Sequence, residues 1–127
     1  MRYQTAPLPV TRGTLSVAFR RLADPDTVRR LALALPEAAE QDHHGRPSFR
    51  TGGKIFATLW DAGHVNVMLD EDGIRTTVQA HPDSCAEVYW GKRLSAVRVT
   101  LADADEPLLT DLLADAWEGK APARLRT

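Results

Sequence analysis

The segment Arg46-Pro47-Ser48-Phe49-Arg50-Thr51-Gly52-Gly53-Lys54-Ile55-Phe56-Ala57-Thr58-Leu59 has the form of two short strands joined by a glycine pair. Gly52-Gly53 tolerates the positive φ angles that a two-residue hairpin turn demands, so the chain can reverse between Thr51 and Lys54. Each arm carries one aromatic, Phe49 and Phe56, and Arg50 and Lys54 flank the tip. A hairpin of this kind offers charge to an anionic partner. In its second arm Ile55, Ala57 and Leu59 alternate with Phe56, Thr58 and Trp60, the period of a half-buried strand.

The same alternation continues downstream. After a turn at Asp61-Ala62-Gly63, Val65, Val67 and Leu69 alternate with His64, Asn66 and Met68 in a third strand. Residues 71–80 read as a helix despite Gly73, closed by His81-Pro82-Asp83, and a loop or short strand runs through Tyr89-Trp90-Gly91-Lys92-Arg93. Val97, Val99 and Leu101 alternate with Ala96, Arg98 and Thr100 in a last strand. Upstream, Glu37 to Gly45 reads as a polar loop. Before it, Asp24-Pro25-Asp26 supplies an N-cap, a first-turn proline and an acid, and Val28, Leu31, Ala32 and Leu35 form one helical face up to Pro36. A C-terminal helix starts near Asp105-Glu106-Pro107, buries Leu108, Leu109, Leu112, Leu113, Ala116 and Trp117, and has Gly119 placed to end it. Two capped helices bracketing alternating strands predict an α+β fold, an antiparallel sheet with the N- and C-terminal helices on one face.

Composition narrows the function. The chain has 127 residues, 43% hydrophobic and 26% charged, which suits one globular domain with its own core. A single cysteine, Cys85, rules out an internal disulfide framework and suits a reducing cytoplasm. No apolar run approaches the ~20 residues of a membrane span, and no secretory h-region is present. The formal net charge of −1 argues against indiscriminate polyanion binding, so any nucleic-acid role needs a local basic face. Residues 1–23 carry Arg2, Arg12, Arg20 and Arg21 and no acid, and read as a basic N-terminal extension, flexible or laid against phosphate. Residues 24–127 form the domain.

Several further segments carry a family resemblance: a helix ending in Leu35-Pro36-Glu37, then Gly45 to Arg50, Gly52 to Ala57, Val65-Asn66-Val67, Tyr89-Trp90-Gly91, the strand 96–101, Leu109 to Trp117 and Ala121 to Leu125. In that order they resemble the MmcQ/YjbR family across nearly the whole chain outside the leader. The resemblance implies a CyaY-like, frataxin-like fold and a DNA-binding role through a double-wing arrangement.

Two functions from different classes fit these residues. In the first, Arg46, Arg50 and Lys54 of the hairpin join Lys92 and Arg93 in a basic face that contacts the phosphates of double-stranded DNA. In the second, Trp60, Tyr89 and Trp90 form an aromatic groove for a protein or small ligand, without nucleic acid. No metal is expected, since His43, His44, His64, His81, Cys85 and Asp42 follow no compact ligand spacing. The acids Glu37, Glu40, Asp42, Asp103, Asp105 and Glu106 read as caps and solubilising charge. Catalysis finds no nucleophile either. Ser48 lacks a glycine elbow, Cys85 lacks a basic neighbour, and Gly52-Gly53-Lys54 lacks the spacing of a phosphate loop. The expectation is a non-enzyme without cofactor or membrane association, monomeric by default.

Overall fold

A computed structural model describes residues 22–126; the leader expected at residues 1–23 lies outside them except for Leu22 and Ala23. Those two are already tied to the domain, Leu22 by a bridge to Asp105 and Ala23 by its N–H to the Ala104 carbonyl. The first helix, α1 (Pro25–Leu33), starts as its capping residues predict, with the Asp24 carboxylate accepting from the Thr27 N–H at 2.8 Å. It unwinds at Ala34, two residues before Pro36, because a proline has no N–H to donate and disfavours helical backbone just ahead of it.

Six strands follow: β1 (Ala39–His43), β2 (Arg46–Thr51), β3 (Lys54–Asp61), β4 (His64–Val67), β5 (Cys85–Trp90) and β6 (Arg93–Thr100). They form one antiparallel sheet in the order β1-β2-β3-β4-β6-β5. Between β4 and β5 lies α2 (Glu71–Ala80), capped by Asp70 through the Gly73 N–H, so Gly73 sits in the first turn where it does no harm. After a single 3-10 turn at Leu101–Asp103, α3 (Glu106–Lys120) completes the domain.

Four sequence expectations are corrected. The loop expected over residues 37–45 contains strand β1. All five of its residues are exposed and pair only with β2, so burial leaves no alternation to read. Its turn, His44-Gly45, holds φ of 53° and 84°, the paired positive angles of a primed hairpin turn. The alternation of β3 breaks at Phe56, which sits between the pairs Arg50↔Ile55 and Phe49↔Ala57; the bulge sends Phe56 into the core and leaves Ile55 on the opposite side. The last strand ends at Thr100, and Leu101 starts the 3-10 turn. Finally, Gly119 lies inside α3, which stops at Ala121 before Pro122.

Register divides the sheet into two faces. Phe49, Ala57, Val67 and Val97 run along one row, and Leu59, Val65, Val99 and Cys85 along another; all are buried under the helices. Ile74 of α2 and Leu109, Leu113 and Ala116 of α3 belong to the same core. The row between them faces the other way: Gln41, Ser48, Thr58, Asn66, Arg98 and Ala86. Among the described residues the helices pack on the opposite side, which leaves this row on the sheet's open face.

Candidate functional site

The open face is polar because its strands alternate, yet its centre is not wet. Ser48 and Asn66 are buried to within 1%. Arg50 Nε donates to Ser48 Oγ at 3.2 Å, and Arg98 Nε donates to Asn66 Oδ1 at 2.9 Å. Ser48 Oγ in turn donates to the Gln41 carbonyl.

Trp60 organises the arginines. It is the extra residue of a second bulge in β3, between the pairs Leu59↔Val65 and Asp61↔His64. Its carbonyl accepts from Arg46 Nε at 2.8 Å, and the Arg46 guanidinium carbon lies 3.7 Å from the centroid of its ring. The Arg98 guanidinium carbon lies 4.7 Å from the same centroid. One half-buried indole therefore holds two cations by the attraction of its π face. A ligand base would have to displace a guanidinium to stack there.

The five cations expected at the site are distributed as follows. Arg46 and Arg50 stand on β2, Lys54 opens β3, and Lys92 and Arg93 lie at the β5–β6 turn. Because β3 and β6 both pair antiparallel with β4, they run in the same direction, and the β2–β3 and β5–β6 turns project from the same end of the sheet. Their strands are second neighbours, roughly 10 Å apart. Arg46 and Arg93 also line a groove of ≈ 1430 Å³ that crosses the open face and that end. Arg98, which sequence reasoning left as an ordinary outward residue, belongs to the set. The signal for it was present in the alternation of the last strand, which puts Arg98 opposite the core valines.

The three aromatics do not converge. Trp60 and Trp90 line the groove, but Tyr89 lies outside it with its hydroxyl donating to Glu87 Oε1 at 3.0 Å. That hydrogen bond to a carboxylate raises the Tyr89 pKa above its ordinary value.

Charge is partitioned by side. Ion pairs join Arg29 to Glu40 (2.8 Å) and Asp26 (3.2 Å), Arg30 to Glu106 (2.8 Å), Arg75 to Glu71 (3.2 Å) and Arg124 to Glu37 (2.8 Å). Each of these arginines belongs to a helix or to the C-terminal turn. Glu37 is held below the usual carboxylate range by its bonds from Arg124. In contrast, Arg46, Arg50, Lys54, Lys92, Arg93 and Arg98 have no carboxylate partner among the described residues. The groove also has an acidic wall, formed by Asp70, Glu71 and Asp72 at the start of α2 and by Asp115 and Glu118 near the end of α3.

The histidines stay apart. His43 and His44 meet edge to face at the β1–β2 turn, and His64 Nδ1 lies 2.8 Å from Asp61 Oδ1. That contact, with the Gly63 N–H, lowers the Asp61 pKa. Burial raises the pKa of the Cys85 thiol, which keeps it a poor nucleophile. Among the described residues no three His, Cys, Asp or Glu side chains are placed to share a metal ion.

A family model described as YjbR matches residues 33–119, from the end of α1 to the last turn of α3. The crystal structure of Deinococcus radiodurans protein DR2400, a DUF419 domain, is similar to this chain at 24% identity with a TM-score of 0.63. The similarity covers 76% of this chain and 77% of that one, and at this identity it speaks for the fold alone. No curated protein matches the chain.

Proposed function

The chain belongs to the YjbR family, and from that premise we propose that it is a non-enzymatic DNA-binding protein, working in the cytoplasm, that grips the phosphate backbone with the open face of its sheet. The observation that carries this reading is the partition of charge: Arg29, Arg30, Arg75 and Arg124 on the helix side are paired with carboxylates, and among the described residues six cations of the strands and their turns are not. A chain with a net charge of −1 has no general attraction for a polyanion, so binding must come from such a local excess. Each phosphate neutralised releases condensed counterions, which is the main source of affinity for duplex DNA. Lys54, Lys92 and Arg93, on the two turns at one end, can follow the backbone, while Arg46 and Arg98 are already immobilised on Trp60 and lose little freedom on binding. The acidic wall repels phosphate from the helix-side rim and so directs the duplex toward the strands.

The aromatic-groove alternative has less support, because Trp60 is occupied by two guanidinium groups and Tyr89 lies outside the groove. Fluorescence anisotropy of a labelled duplex tests the proposal. Wild-type protein should bind at low salt, and Arg50→Glu/Lys54→Glu should weaken binding by about tenfold or more. Equal binding by the two proteins would sink it.

A further inference from the structure

We propose that the floor of the groove, with Arg98 beside it, is a discrete phosphate site, formed by the Thr58 hydroxyl, the Asn66 side-chain amide and the guanidinium groups of Arg46 and Arg98. It deepens the reading of the open face as a surface for anions and can fail separately from it. Asn66 is 1% exposed, and its Oδ1 accepts from Arg98 Nε. An arginine can only donate, so this bond fixes the amide orientation and makes the other end of Asn66 the NH2 donor. That NH2 has no partner among the described residues, although Asn66 lines the groove. Thr58 pairs with Asn66 in register, is 6% exposed, lines the same groove, and its hydroxyl also has no partner among the described residues. Two neighbouring polar groups on adjacent strands, held in nearly buried side chains, therefore keep donors open toward one cavity.

The charges agree. Arg46 spends only Nε on the Trp60 carbonyl and Arg98 only Nε on Asn66, so the outer N–H groups of both remain available. The four residues stand on four different strands: β2, β3, β4 and β6. Donors that approach from several directions suit a tetrahedral oxyanion. A planar carboxylate would be satisfied by one guanidinium alone. The groove has room for more than one phosphate, so the group has two possible sources, a diester of a DNA strand or the monoester of a free nucleotide.

The test is an NMR titration of 15N-labelled protein with inorganic phosphate at constant ionic strength, following the Asn66 side-chain amide and Arg98 Nε signals. The site predicts a saturating shift, weakened about tenfold or more in Asn66→Asp and in Thr58→Val. Shifts that grow with phosphate without saturating, or that are unchanged in the folded variants, would overturn it. If Asn66→Asp does not fold, Thr58→Val decides alone, because it keeps the shape of the side chain and its strand preference. Titration with deoxyadenosine 5′-monophosphate and with a thymidine dinucleotide then separates the sources. Preference for the monoester identifies a free nucleotide, and equal binding identifies the DNA backbone. Saturation by phosphate in a protein that binds no duplex would keep this site and remove the DNA proposal. Duplex binding without phosphate saturation would do the reverse.

Discussion

Trp60 shows how one residue sets what the open face can do. As the extra residue of a bulge it is free of the pairing that orders its neighbours, and its carbonyl and ring together hold Arg46 while the ring also meets Arg98. Its contribution is to position charge, which separates it from an aromatic that stacks on a ligand. Trp60→Ala should therefore raise the Kd for duplex DNA several-fold although no charge is lost, because both arginines lose a ring contact worth about 0.5 kcal/mol each. Trp60→Phe keeps a π face and should retain most of the affinity. Anisotropy at one low salt concentration checks both variants. If Trp60→Ala binds as wild type does, the arginines are not preorganised by the ring.

At the scale of elements, the β2–β3 turn carries the sharpest constraint. Gly52 and Gly53 both have positive φ, 58° and 79°, but a Cβ on Gly52 would lie 2.8 Å from Pro122 Cγ, while one on Gly53 would meet nothing within 4 Å. Gly53→Ala should cost about 1–2 kcal/mol of left-handed strain. Gly52→Ala should cost more, and Pro122→Ala in the same chain should recover the difference; urea unfolding midpoints measure all three. The turn was legible in the sequence because glycine pairs have few other uses there, and the first and last helices were legible because Asp24 and Asp105 cap them. Strand β1 was not legible, since an edge strand with no buried side chain shows no period. The bulges at Phe56 and Trp60 were hidden for a different reason: they follow from pairing between strands, which no local pattern records. Arg46, Arg50, Lys54, Lys92 and Arg93 could be listed from their charge alone. Thr58 and Asn66 could not, because on a strand's outward face a polar residue that meets a ligand has the same spacing as one that meets water.

At the scale of the molecule, among the described residues of a nearly neutral chain, four arginines of the helix side are paired with carboxylates and six cations of the strands and their turns are not. Composition reports only the sum of the two, so the basic face was invisible in the net charge of −1. The division has a consequence for binding that depends on side rather than on total charge. Arg50→Glu/Lys54→Glu on the sheet and Arg30→Glu/Arg124→Glu on the helix side, where both arginines are paired with carboxylates, lower the net charge equally. The decisive measurement is the affinity for duplex DNA across a salt series for wild type and these two variants. Wild type should give a straight log–log line whose slope is about 0.9 for each phosphate engaged. The sheet variant should give a shallower line with weaker binding, and the helix-side variant should overlay wild type. Equal losses in the two variants, or a wild-type affinity that does not change with salt, would contradict the open face as the surface that holds DNA.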